Sequence, residues 1–281
     1  MSHITLNRPL ILIICYVCMA LLLSSCATMP GTVYDLKKGK PVLMSVLLAQ
    51  LNSYRVVFVG EAHDSDIDHA MQLGIIRQFH SNGKQIAVGL EMVPASFQPI
   101  LDAWIAKKIS EAEFSRMFSD VWSISYAYYE EIFNYARENN IPLVGLNITK
   151  KTFKKVSRDG VGMEPPDLLR KLKYSMCVQE FKYARAMRQY LVNLNHRQGN
   201  FNKMCDTQRF REAFMAWRIV DYLRSSEDTM IVLTGSAHAQ KNAIPAMLRR
   251  HGEQNYAVLL PYNFSDILQA NVTLREGDFV W

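Results

Sequence analysis

Two Gly-x-x-His tetrapeptides, Gly60-Glu61-Ala62-His63 and Gly235-Ser236-Ala237-His238, each follow a short apolar run. The first run is Val56-Val57-Phe58-Val59 and the second is Met230-Ile231-Val232-Leu233-Thr234. Continuous apolar runs of this length predict strands buried on both faces, as in a parallel sheet. The glycine is expected to let the chain turn tightly off the strand, and the histidine to land just beyond the strand's carboxyl end. Open α/β sheets bind their ligands in that place. Two distant segments therefore bring imidazoles toward one crevice.

The rest of the chain alternates in the same rhythm. Apolar periodicity predicts a helix over 43–54, a strand over 55–59, a helix over 66–80 and a strand over 86–90 that runs up to Glu91. Two short helices follow within 97–119, then a helix over 128–139 and a strand over 142–146 ending at Asn147. Near the C-terminus come a strand over 230–234, a helix over 244–251 and a strand over 256–260. This order implies an α/β fold, a mostly parallel sheet flanked by helices. The stretch 150–225 offers two long helical patterns, near 168–194 and 204–224, and no strand candidate. It reads as a smaller inserted helical subdomain.

The first residues bear on location. Arg8 precedes an apolar stretch over 10–23, short for a membrane span, which ends in Leu23-Ser24-Ser25-Cys26. That ending resembles the bacterial lipobox, whose cysteine is acylated and becomes the mature N-terminus. Residues 1–25 then read as a lipoprotein signal peptide, 26–42 as a tether and 43–281 as the folded domain. With Ala27 rather than aspartate after the cysteine, the resemblance implies a lipid anchor at Cys26 in the outer membrane, facing the periplasm.

A chain starting at Cys26 keeps 31 basic and 26 acidic residues, a net +5. That excess is mild and is expected to be spread out, apart from Lys150-Lys151 with Lys154-Lys155. A solvated helix face accounts for those lysines; an anionic ligand or lipid headgroups are the other reading. Nothing resembles a nucleic-acid module. Cys177 and Cys205 are the cysteines left beyond Cys26; an oxidising compartment permits a bridge, and two buried thiols are the alternative.

Chemistry collects at the strand ends: Glu61 and His63, Glu91, Asn147 and His238. Two imidazoles and two carboxylates suit a divalent metal or shared acid–base work, and equally a hydrogen-bonded polar cluster. Asp64-Ser65-Asp66-Ile67-Asp68-His69 imitates the start of a calcium loop. His69 and Ile75 stand where that loop needs glycine and glutamate, so the calcium reading fails. Asp64 or Asp66 is instead expected to cap the next helix, with His69 exposed on it.

The two tetrapeptides, Gly89-Leu90-Glu91-Met92, and Tyr129 with Asn147 together resemble the ChaN-like haem-binding lipoproteins of the Tiki/TraB superfamily. The likeness runs over about 45–281. It includes Cys205-Asp206-x5-Glu212-Ala213-Phe214-Met215-Ala216 and the closing Gly277-Asp278-Phe279-Val280-Trp281. It implies a role in iron or haem uptake, a homodimer that shares haem, and iron held by a tyrosine. An outer-membrane haem receptor is the implied partner. Tyr126, Tyr128 and Tyr129 are the candidate ligands, with His63 and His238 beside the haem; Tyr174, Tyr183 and Tyr190 are others. The superfamily also holds enzymes that look like metal-dependent hydrolases of the erythromycin-esterase type. Under that reading His63 and His238 hold a metal or shuttle protons, and Glu91 or Glu61 activates water.

Overall fold

The computed structural model describes residues 32–193, 200–263 and 271–281. Its centre is an eight-stranded sheet in the order β2-β1-β8-β7-β3-β6-β4-β5. The strands are β1 (Thr32–Asp35), β2 (Lys40–Leu43), β3 (Val56–Glu61), β4 (Ile86–Pro94), β5 (Leu143–Asn147), β6 (Thr229–Gly235), β7 (Tyr256–Leu260) and β8 (Phe279–Val280). From β8 to β5 every neighbouring pair is parallel, while β1 pairs antiparallel with both β2 and β8. The long connection through 150–225 returns the chain to β6, which slots between β3 and β4.

The apolar runs are continuous because both faces of the sheet are covered. Side chains alternate between faces along a strand, so Val57 and Val59 join one core while Val56 and Phe58 join the other. Ile231 and Leu233 follow the first pair, Met230 and Val232 the second. Helices Asp66–Ser81, Glu111–Val121 and Glu130–Glu138 pack on the first face through Ile75, Phe118 and Phe133. Helix Phe201–Leu223 lies on the second face through Phe210, Ala213, Ala216 and Ile219, with helix Ile244–Arg250 beside it. The insertion thus supplies much of one helical layer.

Three local expectations change. Within the segment read as a tether, Thr32–Leu43 forms a hairpin that ends the sheet, closed by Gly39 at φ 64°. The pattern over 168–194 is split into helices Pro166–Lys171 and Phe181–Asn193 by a turn in which Lys173 adopts φ 49°. Asp206 then holds the turn, accepting from the Cys177 amide at 2.6 Å and the Tyr174 hydroxyl at 3.1 Å. Ser65, rather than Asp64 or Asp66, caps helix Asp66–Ser81 by accepting from the Asp68 amide at 3.3 Å. The lipobox cysteine, Cys26, lies outside the described residues.

Cys177 and Cys205 form a disulfide across 28 residues, with Cα atoms 5.8 Å apart. It fastens the broken segment to the long helix beside buried Tyr183 and Met187. Closing a loop of that size in the unfolded chain is worth about 3–4 kcal/mol on chain-entropy grounds. Replacing both cysteines by serine is therefore expected to lower the melting temperature by roughly 6–15 °C. Denaturant unfolding with and without reductant checks it: wild type must respond to reductant and the double variant must not.

Candidate functional site

β3, β6 and β4 lie side by side, and the site forms from the last residues of β3 and β6 together with Glu91, beyond which β4 runs on to Pro94 rather than ending there as expected. Glu61 closes β3 opposite Gly235 of β6, and Glu91 projects from β4 to the same place. Both carboxylates are buried. Each is matched by donors that the flanking elements aim at it.

Around Glu61, Oε1 accepts from His63 Nδ1 at 2.6 Å and from the Tyr129 hydroxyl at 2.5 Å. Its Oε2 accepts from Gln72 Nε2 at 2.6 Å and faces His69 Nε2 at 3.5 Å. Gln72 and His69 reach the carboxylate because helix Asp66–Ser81 starts just after the strand. Asp68 closes that turn, accepting from the Ala62 amide at 2.8 Å. His69 is therefore not the exposed helical histidine expected: it is 4% exposed and packs edge-on to the Tyr129 ring.

Around Glu91, Oε2 accepts from the Gly235 amide at 2.8 Å and from the Thr234 hydroxyl. Its Oε1 accepts from Arg211 Nη2 at 2.5 Å, with His238 Nε2 at 3.7 Å. Arg211 is spread across the crevice floor, its Nε donating to Asn147 Oδ1 at 3.0 Å. Asn147 is itself oriented by donating to the Glu91 carbonyl at 2.8 Å. His238 Nδ1 donates to Glu212 Oε1 at 3.0 Å, and Glu212 in turn meets the buried guanidinium of Arg209. Arg209 continues the chain of charges to Glu180.

The four residues expected to converge do share one crevice, as two pairs rather than one ring of ligands. Arg211 takes the place a shared cation would occupy beside Glu91. Among the described residues no three His, Cys, Asp or Glu side chains are grouped to hold a metal ion. The residues present do not fit the divalent-metal expectation for Glu61, His63, Glu91 and His238.

The glycines of the two tetrapeptides make room for each other's segment. A Cβ on Gly235 would stand 2.9 Å from Cε1 and Nε2 of the His63 ring. A Cβ on Gly60 would stand 3.1 Å from Ser236 Oγ and 2.9 Å from Leu260. Gly235 sits at φ −54°, which any residue adopts, so its role is close approach rather than the tight turn expected.

The tyrosines separate by exposure. Tyr129 is buried with its hydroxyl committed to Glu61, and burial together with that carboxylate holds its pKa far above the usual tyrosine range. Tyr126 is buried too, and burial raises its pKa. Tyr128 is half-buried on the His69 ring, with centroids 5.6 Å apart. Tyr183 packs into the disulfide cluster, and Tyr174 is spent on Asp206. The side chain of Tyr190 lies outside the described residues. At the mouth, His63 keeps 32% of its side chain exposed against the edge of Trp122, whereas His238 keeps 11%.

Sequence reasoning missed Arg211, Arg209 and Gln72, and quoted Glu212 without a role. The available signal was the run Arg209-Phe210-Arg211-Glu212, three charges inside an otherwise apolar helix segment. Charges on a buried stripe need partners across the core.

Residues 47–248 match the family of haem-binding uptake proteins of the Tiki superfamily, ChaN. The chain belongs to that family. ChaN of Campylobacter jejuni, solved with cofacial haem, has the same fold at a TM-score of 0.71 and 19% identity, over 89% of this chain and 95% of that one. An erythromycin esterase in its open conformation is a slighter likeness, with a TM-score of 0.49 and 17% identity over 77% of this chain and 72% of that one. Among curated proteins, the chloroplast protein RETICULATA-RELATED 5 of Arabidopsis thaliana is 24% identical over 119 residues. That match covers 40% of this chain and spans only 16% of the plant protein's length.

This ChaN-family crevice makes two predictions. Gly235→Ala should cost about 1–3 kcal/mol by overpacking, and a His63→Ala background should remove most of that cost. A double-mutant cycle in denaturant measures the coupling. The second concerns pH. Burial alone would raise both carboxylates, but bonds and charges outweigh it and hold each at about 2: His63 and His69 for Glu61, and His238, Arg211, His63 and Thr234 for Glu91. Against the ordinary glutamate value of 4.5, their contribution is full above that pH and lost as pH falls toward 2. Burial lowers His63, but Glu61 and Glu91 raise it above 6.5 overall, so its contribution is full below 6.5 and lost as pH rises through the folded value. Unfolding free energy against pH should therefore peak between about 4.5 and 6.5. In Glu61→Gln both the acid limb and the His63 limb should shrink.

Proposed function

We propose that this chain is a haem-binding lipoprotein of the outer membrane that takes part in iron or haem uptake. Family membership over 47–248 carries the reading. In support, the Campylobacter ChaN of the same fold binds haem cofacially, an arrangement that a homodimer of this chain would reproduce. Anchoring through Cys26, the periplasmic face and an outer-membrane haem receptor as partner belong to the same proposal.

Haem supplies a ferric iron for which a tyrosinate oxygen is a hard donor and an attested ligand. Of the three neighbouring tyrosines, Tyr128 fits that task. Its ring is only half-buried, whereas ionising Tyr129 would set a phenolate against the buried Glu61 carboxylate. Tyr129 instead supports Glu61, which fixes the His63 ring through Nδ1. His63 keeps 32% of its side chain exposed while its Cε1–Nε2 edge lies against Gly235, and the Arg211 guanidinium supplies positive charge close by.

Titrating the protein with hemin is expected to give a Soret band shifted from that of free hemin. Tyr128→Phe should weaken binding by at least about tenfold, the scale seen when even an outer partner of a metal ligand is lost. Tyr129→Phe should mainly lower stability. No spectral change with hemin, in either oxidation state, overturns the proposal.

One observation keeps a hydrolytic reading in play. His63 with Nδ1 on Glu61 at 2.6 Å is the pairing of a general base and its orienting carboxylate. Ester or amide hydrolysis by the purified protein, abolished in His63→Ala, would favour that reading over haem carriage.

A further inference from the structure

The positive charge of the chain is not spread over it. Between residues 150 and 189 there are eleven basic and four acidic side chains, a net +7, against +6 for all 281 residues. The remainder of the chain therefore carries −1. The lysines singled out in sequence open this basic segment of the insertion. Its acids are largely spent: Asp159 on Arg158, Glu164 on Lys155, Asp167 on Arg170 and Glu180 on Arg209 and Arg250. Lys173 and Lys203 make no ion pair among the described residues; their ammonium groups rest on the carbonyls of Arg250 and Arg158.

The same segment carries large apolar side chains that the core does not take up. Phe181 is 77% exposed, Met163 71% and Val178 68%, with Met176 nearby. The two sets meet at one open cavity of about 680 Å³, lined by Arg170, Lys173, Lys203 and Met176 with Asp159 and Asp206 beside them; Gly162 and Gln179, the chain neighbours of Met163 and Val178, also line it. Helix Phe181–Asn193 extends the pattern: Phe181, Arg185 and Arg188 recur at helical spacing and are exposed, while Tyr183 and Met187 face inward.

A merely solvated basic segment has no need of exposed phenylalanine, methionine and valine within it. An apolar cluster ringed by lysine and arginine is what a lipid surface with anionic headgroups selects, because apolar burial and charge attraction add. We propose that this face of the insertion docks on an anionic lipid surface. Met163, Met176, Val178 and Phe181 enter the headgroup boundary, and the surrounding cations face phosphates. The contact requires neither haem nor the crevice, and goes beyond the proposed function.

Hydrogen exchange of the full chain on vesicles tests it, without haem. Phosphatidylcholine vesicles carrying phosphatidylglycerol are compared with phosphatidylcholine alone. The expected result is slower exchange across 160–189 on the anionic vesicles only, reversed by salt, with no change in the Thr32–Leu43 hairpin. Arg158→Gln, Arg170→Gln and Lys173→Gln should each weaken the anionic-lipid effect by about fivefold. Lys37→Gln and Lys40→Gln, on the hairpin, should not weaken it. Val178→Ser with Phe181→Ser should weaken it without altering its salt dependence. Equal exchange on both vesicle types overturns the proposal. So does protection by soluble polyphosphate that matches the vesicles and ignores the apolar variants, which would mark the face as a site for an anionic polymer.

Discussion

Glu91 and Arg211 form the contact on which the architecture turns. A carboxylate at the end of a central strand, buried on both faces, would cost several kcal/mol without a partner. Its partner comes from a helix 120 residues later in the chain. That ion pair fixes the height of helix Phe201–Leu223 on the sheet. Apolar packing through Phe210, Ala213 and Ile219 is less selective about register along the helix axis, because similar side chains recur every three or four residues. The guanidinium also supplies the geometry that apolar contacts lack: one edge on Glu91, its Nε on Asn147 and a further nitrogen 3.3 Å from His238. The inserted helices are thereby part of the site rather than a lid beside it.

The two halves of the crevice handle their buried charge differently. On the Glu91 side the charges continue inward, from His238 to Glu212, Arg209 and Glu180, so that His238 is fixed from behind by an extended network. On the Glu61 side the network is short and ends at the mouth, with neutral donors from Gln72 and Tyr129 and a single histidine leading out. An approaching ligand therefore meets His63 first. His69 has no hydrogen-bond partner at either ring nitrogen among the described residues, although Nε2 lies 3.5 Å from Glu61, and it is pinned mainly by the rings of Tyr128 and Tyr129.

How much of this could be read from sequence depends on which element carries the residue. Glu61, His63, Glu91, Asn147 and His238 were legible because a parallel sheet brings the carboxyl ends of its strands together, whatever the connections do. Arg211 and Arg209 were not. A helix offers several faces, and whether a charge on it points at solvent or into the core depends on packing that periodicity alone leaves open. Tyr128 and Tyr129 are consecutive, and their difference is set by the short 3-10 turn Tyr126–Tyr128, which turns one ring inward and leaves the other at the edge. The hairpin at 32–43 was lost among its lysines, glycine and proline, which read as linker until a sheet edge is there to pair with. The disulfide depended on the break at Lys173, because an unbroken helix over 168–194 would place Cys177 elsewhere.

Close approach explains why the Gly-x-x-His pair marks the fold more firmly than the chemistry. Gly235 is needed because the His63 ring lies against the β6 backbone, and Gly60 because Ser236 and Leu260 lie against β3. Both demands come from the packing of three adjacent strand ends, and they hold whether the crevice carries haem, hydrolyses an ester or does neither. The histidines are less constrained: one is held near the mouth with about a third of its side chain exposed, the other mostly enclosed behind Arg211. A chain that changed chemistry on this scaffold could keep both glycines and both carboxylates while altering only what stands at the mouth. Here that is His63 with the edge of Trp122 against it. Arg211, tied to Glu91 and Asn147, keeps the floor of the crevice set whatever stands at its mouth.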